Sequence, residues 1–226
     1  MKNFTKPAAI LLGLSLLVSM SALTQAQGDA EAGAEKTAIC AACHGSDGNS
    51  SVALYPKLAG LGEKYLYKQL EEIKSGIRPV PEMTGMLNGM SEQDLHDLAA
   101  YYANQSMLLS GAEDIEVQLN SGDTTKALAL GETLYRFGNP ETSVPSCSAC
   151  HSPTGAGNAP AGYPRVGGQF ADYIAKQLRD FRVGDRVNDE NLVMRQVAEH
   201  MSDAEITAVA NYIAGLHVGE RNPAAP

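Results

Sequence analysis

Two copies of one five-residue pattern are the part of this sequence best suited to chemistry. Cysteine, two small residues, cysteine and histidine follow one another at residues 40–44 and again at residues 147–151. Two thiols one helical turn apart can form thioether bonds to the two vinyl groups of one porphyrin, and the adjacent imidazole can then coordinate the iron. The pattern predicts two covalent haem c groups, attached at Cys40, Cys43, Cys147 and Cys150, with iron ligands His44 and His151.

Cysteine pairs of this spacing also occur in zinc sites, redox disulfides and structural bridges. Tetrahedral zinc normally needs a further closely spaced pair of ligands, and none follows either motif. A thioredoxin-like motif requires a βαβ context, which this sequence lacks. Because the two motifs use all four cysteines of the chain, haem attachment is the interpretation that explains them.

The first 26 residues have the pattern of a secretory signal peptide. Lys2 and Lys6 precede an uncharged apolar run, residues 8–23, and residues 24–26 resemble a small-residue cleavage site. The run is interrupted by glycine and serine and is short for a membrane-spanning helix. We therefore expect a mature chain that begins near Gln27, is exported to the bacterial periplasm and has at most a peripheral association with membranes.

The charge balance restricts the partners. The full chain has 17 basic and 26 acidic side chains, and removal of Lys2 and Lys6 leaves 15 basic against 26 acidic, a formal charge of −11. So acidic a chain is repelled by nucleic acid, which we do not expect as a partner. The chain has no tryptophan, so we expect the porphyrins to supply much of each core.

The chain is an internal duplication. Residues 56–60 align with residues 164–168 at an offset of 108, and both following segments have apolar residues at i, i+4 and i+7. These segments are predicted to be amphipathic helices that end at Gly76 and Gly184. Further on the offset becomes 111, and two closing helices are predicted to begin at the capping residues Ser91 and Ser202.

The repeat predicts an all-α fold of two tandem domains. We place the first domain at residues 27–105, a linker at residues 106–124 and the second domain at residues 125–226. Strand patterns are essentially absent. The segment Arg136 to Val144, before the second motif, is an insertion whose role the sequence does not assign.

Methionine is the best candidate for the second axial position on each iron. Met83 and Met194 each lie eight residues before the capping serine of the closing helix, so they occupy equivalent positions. Met90 and Met201 immediately precede those serines, where an apolar residue normally packs as a hydrophobic staple. Met86 remains a rival in the first half. None of the other three histidines repeats, so we expect them to be surface or locally satisfied residues.

These segments together resemble the cytochrome c4 family, in which two class I cytochrome c domains are joined in one chain. The resemblance rests on the motif at residues 40–49 and on residues 56–60, 82–86 and 191–195. It implies that Met83 and Met194 are iron ligands. It also implies that the carbonyls of Pro56 and Pro164 orient the ligand imidazoles. Gly33 and Gly131 would allow the first helix of each domain to cross closely over the closing helix.

The resemblance implies an electron carrier and not an enzyme. Ligation by histidine and methionine fills both axial positions and leaves no open iron site for a substrate. We expect transient contacts with a cytochrome bc complex as donor and a terminal oxidase as acceptor. Two alternatives stay open: a cytochrome subunit of a periplasmic sulfide or alcohol dehydrogenase, and a dihaem peroxidase-like enzyme, which would need a labile or unusual ligand.

Overall fold

The computed structural model describes residues 28–217, which fold into two helical domains and a linker. The signal peptide predicted for residues 1–26 lies outside these residues. Within the described part, the N-terminal domain contains helices α1 to α4: Ala30–Ala34, Ala38–His44, Glu63–Ser75 and Glu92–Ala103. The C-terminal domain contains α5 to α9: Ala127–Phe137, Ser148–His151, Ala171–Val183, Val193–Glu199 and Asp203–Gly215. Among these helices none is long and apolar enough to cross a membrane.

Local sequence sets the ends of the long helices. α3 and α7 end at Gly76 and Gly184, which adopt φ angles of 81° and 83°. Glycine reaches this left-handed region without the steric cost of a Cβ atom. α4 and α9 begin at Ser91 and Ser202, whose hydroxyls accept a hydrogen bond from the third backbone N–H of the helix. The predicted helix stops and capping boxes are confirmed.

The first helix of each domain crosses the closing helix at a glycine. A Cβ atom added to Gly33 would lie 2.1 Å from the carbonyl oxygen of Asp97, and one added to Gly131 would lie 2.2 Å from that of Ala208. Only glycine permits the two backbones to come this close. The close crossings predicted at these two glycines are confirmed.

Each domain has an apolar core around its closing helix. The N-terminal core includes Leu66, Leu98 and Tyr102, and the C-terminal core includes Leu134, Ile206 and Val209. Met201 is buried in the C-terminal core, and Met90 packs against the N-terminal one. These two methionines therefore have the packing role expected of residues before a capping serine.

A small β-hairpin spans the end of the predicted linker and the start of the second domain, although strand patterns are essentially absent from the sequence. β1 (Glu116–Gln118) pairs antiparallel with β2 (Thr124–Lys126), and Val117 packs with Ala127 and Ala208 of the C-terminal domain. The sequence does not indicate these strands because a strand of three residues is too short to show a two-residue periodicity. The hairpin attaches the second part of the linker to the C-terminal domain.

The predicted insertion 136–144 begins in the last two residues of α5 and continues as a loop, residues 138–144, that supports the closing helix of its domain. Asn139 and Val144 form an isolated antiparallel bridge that closes the loop. The side-chain amide of Asn139 donates a hydrogen bond of 2.8 Å to Glu205 Oε1. Since Glu205 belongs to the capping box of α9, the loop ties the segment before the second motif to the start of that helix.

A buried glutamine joins the two domains beside the first motif. Gln169 accepts a hydrogen bond from the backbone N–H of Lys57 at 3.0 Å and donates one to the Lys57 carbonyl at 2.9 Å. The Lys57 ammonium group is also buried and donates to backbone carbonyls of Leu108 and Gly168. These contacts fix the C-terminal domain against the segment that follows Pro56.

Candidate functional site

The four cysteines form two pairs, one on α2 and one at the start of α6. Cys40 and Cys43 are one helical turn apart, and Cys147 and Cys150 have the same spacing. All four are half-buried and none forms a disulfide bond. Burial raises the pKa of the Cys147 thiol to about 11 and also raises the pKa of Cys40. These two thiols are therefore protonated at neutral pH, unlike the reactive thiolates of redox enzymes.

The imidazoles that end the two motifs are held in the same way. His44 Nδ1 lies 2.8 Å from the carbonyl oxygen of Pro56, and His151 Nδ1 lies 2.9 Å from that of Pro164. Because a carbonyl can only accept, Nδ1 carries the proton. Nε2, which makes no hydrogen bond within residues 28–217, keeps its lone pair for a metal. The contacts expected of the two prolines are confirmed.

Burial also sets the protonation of these rings. It lowers the pKa of His44 and of His151, although the hydrogen bonds to the proline carbonyls act in the opposite direction. A neutral imidazole is the form that coordinates a metal. Each motif therefore presents an oriented nitrogen donor beside its two thiols.

The residue after each histidine turns the chain toward the proline-containing segment. Gly45 has a φ angle of 80°, and Ser152 has one of 67°, a region that favours glycine. The Tyr135 hydroxyl donates a hydrogen bond of 2.6 Å to the Ser152 carbonyl. The same turn is thus made by the conformational freedom of glycine in one domain and supported by a tyrosine in the other.

The structure separates the two methionines that compete in the N-terminal domain. Met83 ends a single turn of 3-10 helix, Pro81–Met83, and is half-buried. It lines a cavity of about 460 Å³ together with Arg78 and Leu87. Met86 is 42 % exposed and does not line this cavity. Met83 is thus the less exposed of the two, and its role as ligand stays a prediction, because the cavity is lined by none of the residues of the first motif.

Met194 lies in the first turn of α8 and is half-buried. Asn191 and Leu192, just before this helix, have φ angles of 55° and 61°, and the Arg195 side chain binds Asp189 at 2.7 Å. Sequence analysis did not predict α8, because no side chain caps its start and because the three-residue insertion between the repeats falls nearby. The contact between Arg195 and Asp189 therefore helps to hold the loop that positions Met194 against the cost of two residues in the left-handed region.

The three remaining histidines lie apart from the motifs. His96 stacks on Tyr67 with ring centroids 3.7 Å apart, while His200 and His217 are exposed. Across residues 28–217, no group of three or more histidine, cysteine or acidic side chains could hold a metal ion. The described residues therefore contain no zinc site of that kind.

Sequence analysis missed two tyrosines that lie beside the first cysteine of each motif. Tyr102 on α4 is 2 % exposed and Tyr135 on α5 is fully buried. Burial, with the nearby thiol of Cys40 or Cys147, raises the pKa of each phenol. Among residues 28–217 the Tyr102 hydroxyl has no hydrogen-bond partner of normal geometry, although it lies beside the Cys40 thiol. Comparison of the repeats could not reveal the pair, because Tyr102 aligns with Ile213 and Tyr135 lies on a different helix.

The donor set of each domain fits one haem c. Two thiols with one-turn spacing suit the vinyl groups, the neutral imidazole offers a free Nε2, and a half-buried thioether is available from the loop before the closing helix. These are soft and borderline donors that iron porphyrins accept. The geometry of the two domains thus agrees with the chemistry expected from their motifs.

Comparisons with known proteins agree with this geometry. The Cytochrome c family model matches residues 30–106 and 128–217. Cytochrome c4 of Azotobacter vinelandii is 48 % identical over 217 residues, which cover 92 % of this chain and 98 % of that protein. The thiosulfate dehydrogenase electron acceptor of Stutzerimonas stutzeri is 34 % identical over 218 residues, which cover 96 % of this chain and 97 % of that protein.

A solved structure gives the same result. The crystal structure of reduced recombinant cytochrome c4 from Pseudomonas stutzeri matches with a TM-score of 0.77 and 47 % sequence identity, covering 84 % of this chain and all of that one. The family model matches once in each domain, as the internal duplication requires. The two domains bind two covalent haem c groups. This chain therefore belongs to the cytochrome c4 family of dihaem electron carriers.

Proposed function

We propose that this cytochrome carries electrons in the periplasm from a cytochrome bc complex to a terminal oxidase. The observation that carries the proposal is the pair of axial donors that each domain offers, an oriented imidazole and a methionine. With both positions filled, the iron can exchange electrons but has no open position for a substrate. The predicted signal peptide and the acidic composition support an exported carrier that meets its partners transiently.

The proposed ligand set assigns a role to each motif residue. The thioether bonds form at Cys40, Cys43, Cys147 and Cys150. The axial ligands are His44 with Met83 and His151 with Met194. When bound, haem iron supplies a one-electron couple between its ferric and ferrous states.

The side chains around each haem prepare it for repeated electron transfer. The proline carbonyls hold the Nδ1 protons, so each imidazole keeps one orientation and one tautomer through the redox cycle. A methionine thioether favours the ferrous state and raises the reduction potential. Burial of these groups excludes water, which limits reorganisation when the charge changes. None of these steps requires a catalytic side chain, so we propose a carrier and not an enzyme.

A second candidate function is electron acceptor for a periplasmic dehydrogenase. The similarity over nearly the whole chain to a thiosulfate dehydrogenase electron acceptor favours it. The donor would then be a soluble catalytic chain instead of a membrane complex. A dihaem peroxidase is a weaker candidate, because it needs a labile ligand and the four cysteines of the chain all belong to the motifs.

Stopped-flow absorption with the purified holoprotein can distinguish the two donors. We expect membranes that contain the bc complex to reduce both haems when quinol is added, and a bc-complex inhibitor to prevent this. Oxidase-containing membranes should then reoxidise the haems, and cyanide should block that step. Rapid reduction by a periplasmic dehydrogenase and its substrate, with none by the bc complex, would favour the second candidate.

A further inference from the structure

The loop that carries Met194 contains two consecutive residues with left-handed backbone angles. Asn191 has φ 55° and ψ 25°, and Leu192 has φ 61° and ψ 20°. Asparagine tolerates this region, whereas the Cβ atom and bulky side chain of leucine make it costly. Leu192 is 45 % exposed, so the packing of its side chain offsets little of this cost. The segment just before Met194 is therefore held in a conformation that Leu192 by itself disfavours.

One carboxylate makes two hydrogen bonds across this turn. Asp189 Oδ2 accepts a hydrogen bond of 2.9 Å from the backbone N–H of Arg195, and Oδ1 accepts one of 2.7 Å from Nε of the same arginine. A further guanidinium nitrogen donates to the Val187 carbonyl at 3.2 Å. The Asp189 side chain is 5 % exposed, so these charge-assisted bonds are shielded from much of the water that would weaken them. We call this contact the Asp189–Arg195 pair.

The pair encloses both the strained residues and the methionine. Asp189 lies two residues before Asn191, and Arg195 directly follows Met194. As the third residue of α8, Arg195 has a backbone N–H without a partner inside its helix, and Leu192 at the cap position offers no side-chain acceptor. The Asp189 carboxylate therefore joins the two ends of the segment that contains Met194. Loss of this contact would let the turn relax and move the thioether from its present place.

The corresponding loop of the N-terminal domain is held without strain. Within residues 79–90 the one positive φ angle is that of Gly85, at 79°, which glycine adopts without steric cost. Met83 ends a short helix that begins at Pro81, and its N–H donates to the Val80 carbonyl at 2.9 Å. No ion pair among the described residues involves this loop. An ion pair opposes backbone strain in only one of the two methionine loops.

We propose that the Asp189–Arg195 pair keeps Met194 on the haem iron of the C-terminal domain, and that without the pair this iron becomes open to a small ligand such as cyanide while the N-terminal iron stays closed. The inference rests on the proposed ligation by His151 and Met194. In the exchange the iron–sulfur bond breaks and an iron–carbon bond forms at ferric iron, with no change in oxidation state. Asp189 and Arg195 are positioning residues, because they act on the iron only through Met194.

Stopped-flow absorption of the ferric holoprotein mixed with cyanide measures how readily each methionine leaves its iron. In Asp189→Ala, which removes both hydrogen bonds, we expect cyanide to bind one of the two haems at least about tenfold faster than in the wild type. Arg195→Gln keeps the backbone N–H that Asp189 accepts and should give a smaller acceleration. The other haem should react at the wild-type rate in both variants. If Asp189→Ala does not retain two haems per chain, Arg195→Gln decides.

Two further variants identify the haem and control for the loss of an ion pair. In Met194→Ala the C-terminal iron is open from the start, so the phase that becomes fast marks this haem. Asp203→Ala breaks an ion pair of 2.5 Å with Arg182 in the same domain and should leave both rates unchanged. Acceleration at the N-terminal haem in Asp189→Ala, or an equal acceleration in Asp203→Ala, would overturn the proposal.

A second substitution in the same loop separates positioning from a general loss of stability. Leu192→Gly removes the steric cost of a φ angle of 61°. In the Asp189→Ala background it should return cyanide binding at the C-terminal haem toward the wild-type rate, because the turn then no longer needs the pair. A general loss of stability would instead become worse, since glycine adds freedom to the unfolded chain. No recovery in the double variant would reject the role of the pair.

The same measurements keep this inference separate from the proposed function. If Met194→Ala neither reduces the methionine-to-iron charge-transfer band nor accelerates cyanide binding, Met194 is not the ligand, and the proposed ligand set fails together with this inference. If Met194→Ala opens the iron but Asp189→Ala leaves both cyanide rates at the wild-type values, the ligand set stands and only the role of the Asp189–Arg195 pair is rejected.

Discussion

The methionines proposed as axial ligands lie on different local structures in the two domains. Met83 ends one turn of 3-10 helix that begins at Pro81, whereas Met194 lies in the first turn of the seven-residue α8. Both precede the capping serine of the closing helix by eight residues. The eight-residue separation from the capping serine is the same in both domains, although the backbone structure around the methionine differs. The position of each methionine is therefore fixed relative to the start of the closing helix, whereas the structure of the loop before that helix can vary.

The surroundings of the two motifs differ as well. α1 and α2 are separated by three residues, whereas a loop that starts at Gly138 lies between α5 and the second motif. Residues 27–118 contain 14 acidic and 6 basic side chains, a formal charge of −8, and residues 119–226 contain 12 and 9, a formal charge of −3. The C-terminal domain therefore has a longer segment between its first helix and its motif, and it has a smaller excess of negative charge.

The largest effect should follow the loss of one haem. We expect Cys40→Ala with Cys43→Ala to leave one haem per chain and to unfold the N-terminal domain, because so small a domain lacks a full core without its porphyrin. The C-terminal domain should stay folded. A denatured haem assay and limited proteolysis would measure both effects. The reciprocal variant at the second motif is the control, and a folded N-terminal domain without haem would contradict the prediction.

The methionine variants test whether each of the two different loops supplies an axial ligand to its haem. Met83→Ala and Met194→Ala should each remove half of the charge-transfer band and lower one potential, by on the order of 0.1 V, because a thioether ligand favours ferrous iron. Met86→Ala should leave both unchanged. Absorption spectra and redox titration provide the measurement. Loss of half the band in Met86→Ala, with the band intact in Met83→Ala, would reverse the assignment.

Removal of the two buried tyrosine hydroxyls should change the stability of the two domains by different amounts. This effect should be smaller than those of the preceding variants. Tyr135→Phe removes the hydrogen bond to the Ser152 carbonyl and should lower the free energy of unfolding of the C-terminal domain by about 1–2 kcal/mol. Tyr102→Phe removes a hydroxyl with no partner of normal geometry among residues 28–217 and should cost roughly zero or be slightly stabilising. Denaturant unfolding of the holoprotein measures both. Equal costs would mean that the Tyr102 hydroxyl is satisfied in the haem-bound protein.

The smallest predicted effect is the difference between the two potentials. The N-terminal haem should have the lower potential, because its domain carries five more negative charges and negative charge stabilises ferric iron. Each charge at about 10–15 Å contributes a few tenths of a kcal/mol before screening, which suggests a gap on the order of tens of millivolts. Redox titration of the two haems at two salt concentrations measures it. A higher potential at the N-terminal haem would reject the charge argument.

Sequence could predict those features that short-range chemistry dictates. The haem motifs, the glycine stops of α3 and α7 and the capping boxes at Ser91 and Ser202 each depend on residues a few positions apart. The comparison of repeats also selected Met83 and Met194, because it supplied a second instance of the same spacing, and these two ligands stay predictions. The all-α fold class follows from the same helical periodicity and is confirmed.

The features that sequence did not predict depend on contacts between distant segments. α8 begins at Val193 without a capping side chain, and its position follows from packing and from the ion pair beside it. The β-hairpin is stabilised by contact of Val117 with α9. Arg78 and Arg186 repeat at the offset that aligns the helices, yet only the fold shows that each reaches the other domain.

Arg78 and Gln69 of the N-terminal domain and Arg186 and Gln177 of the C-terminal domain form an isologous contact, in which the same surface patch appears on both partners. Arg78 meets Gln177 as Arg186 meets Gln69. A homodimer of one domain would form the same contact about its twofold axis. Joined through residues 106–124, the two patches meet at an effective concentration on the order of millimolar. Within one chain, this contact therefore does not bear the full entropic cost of bringing two separate molecules together.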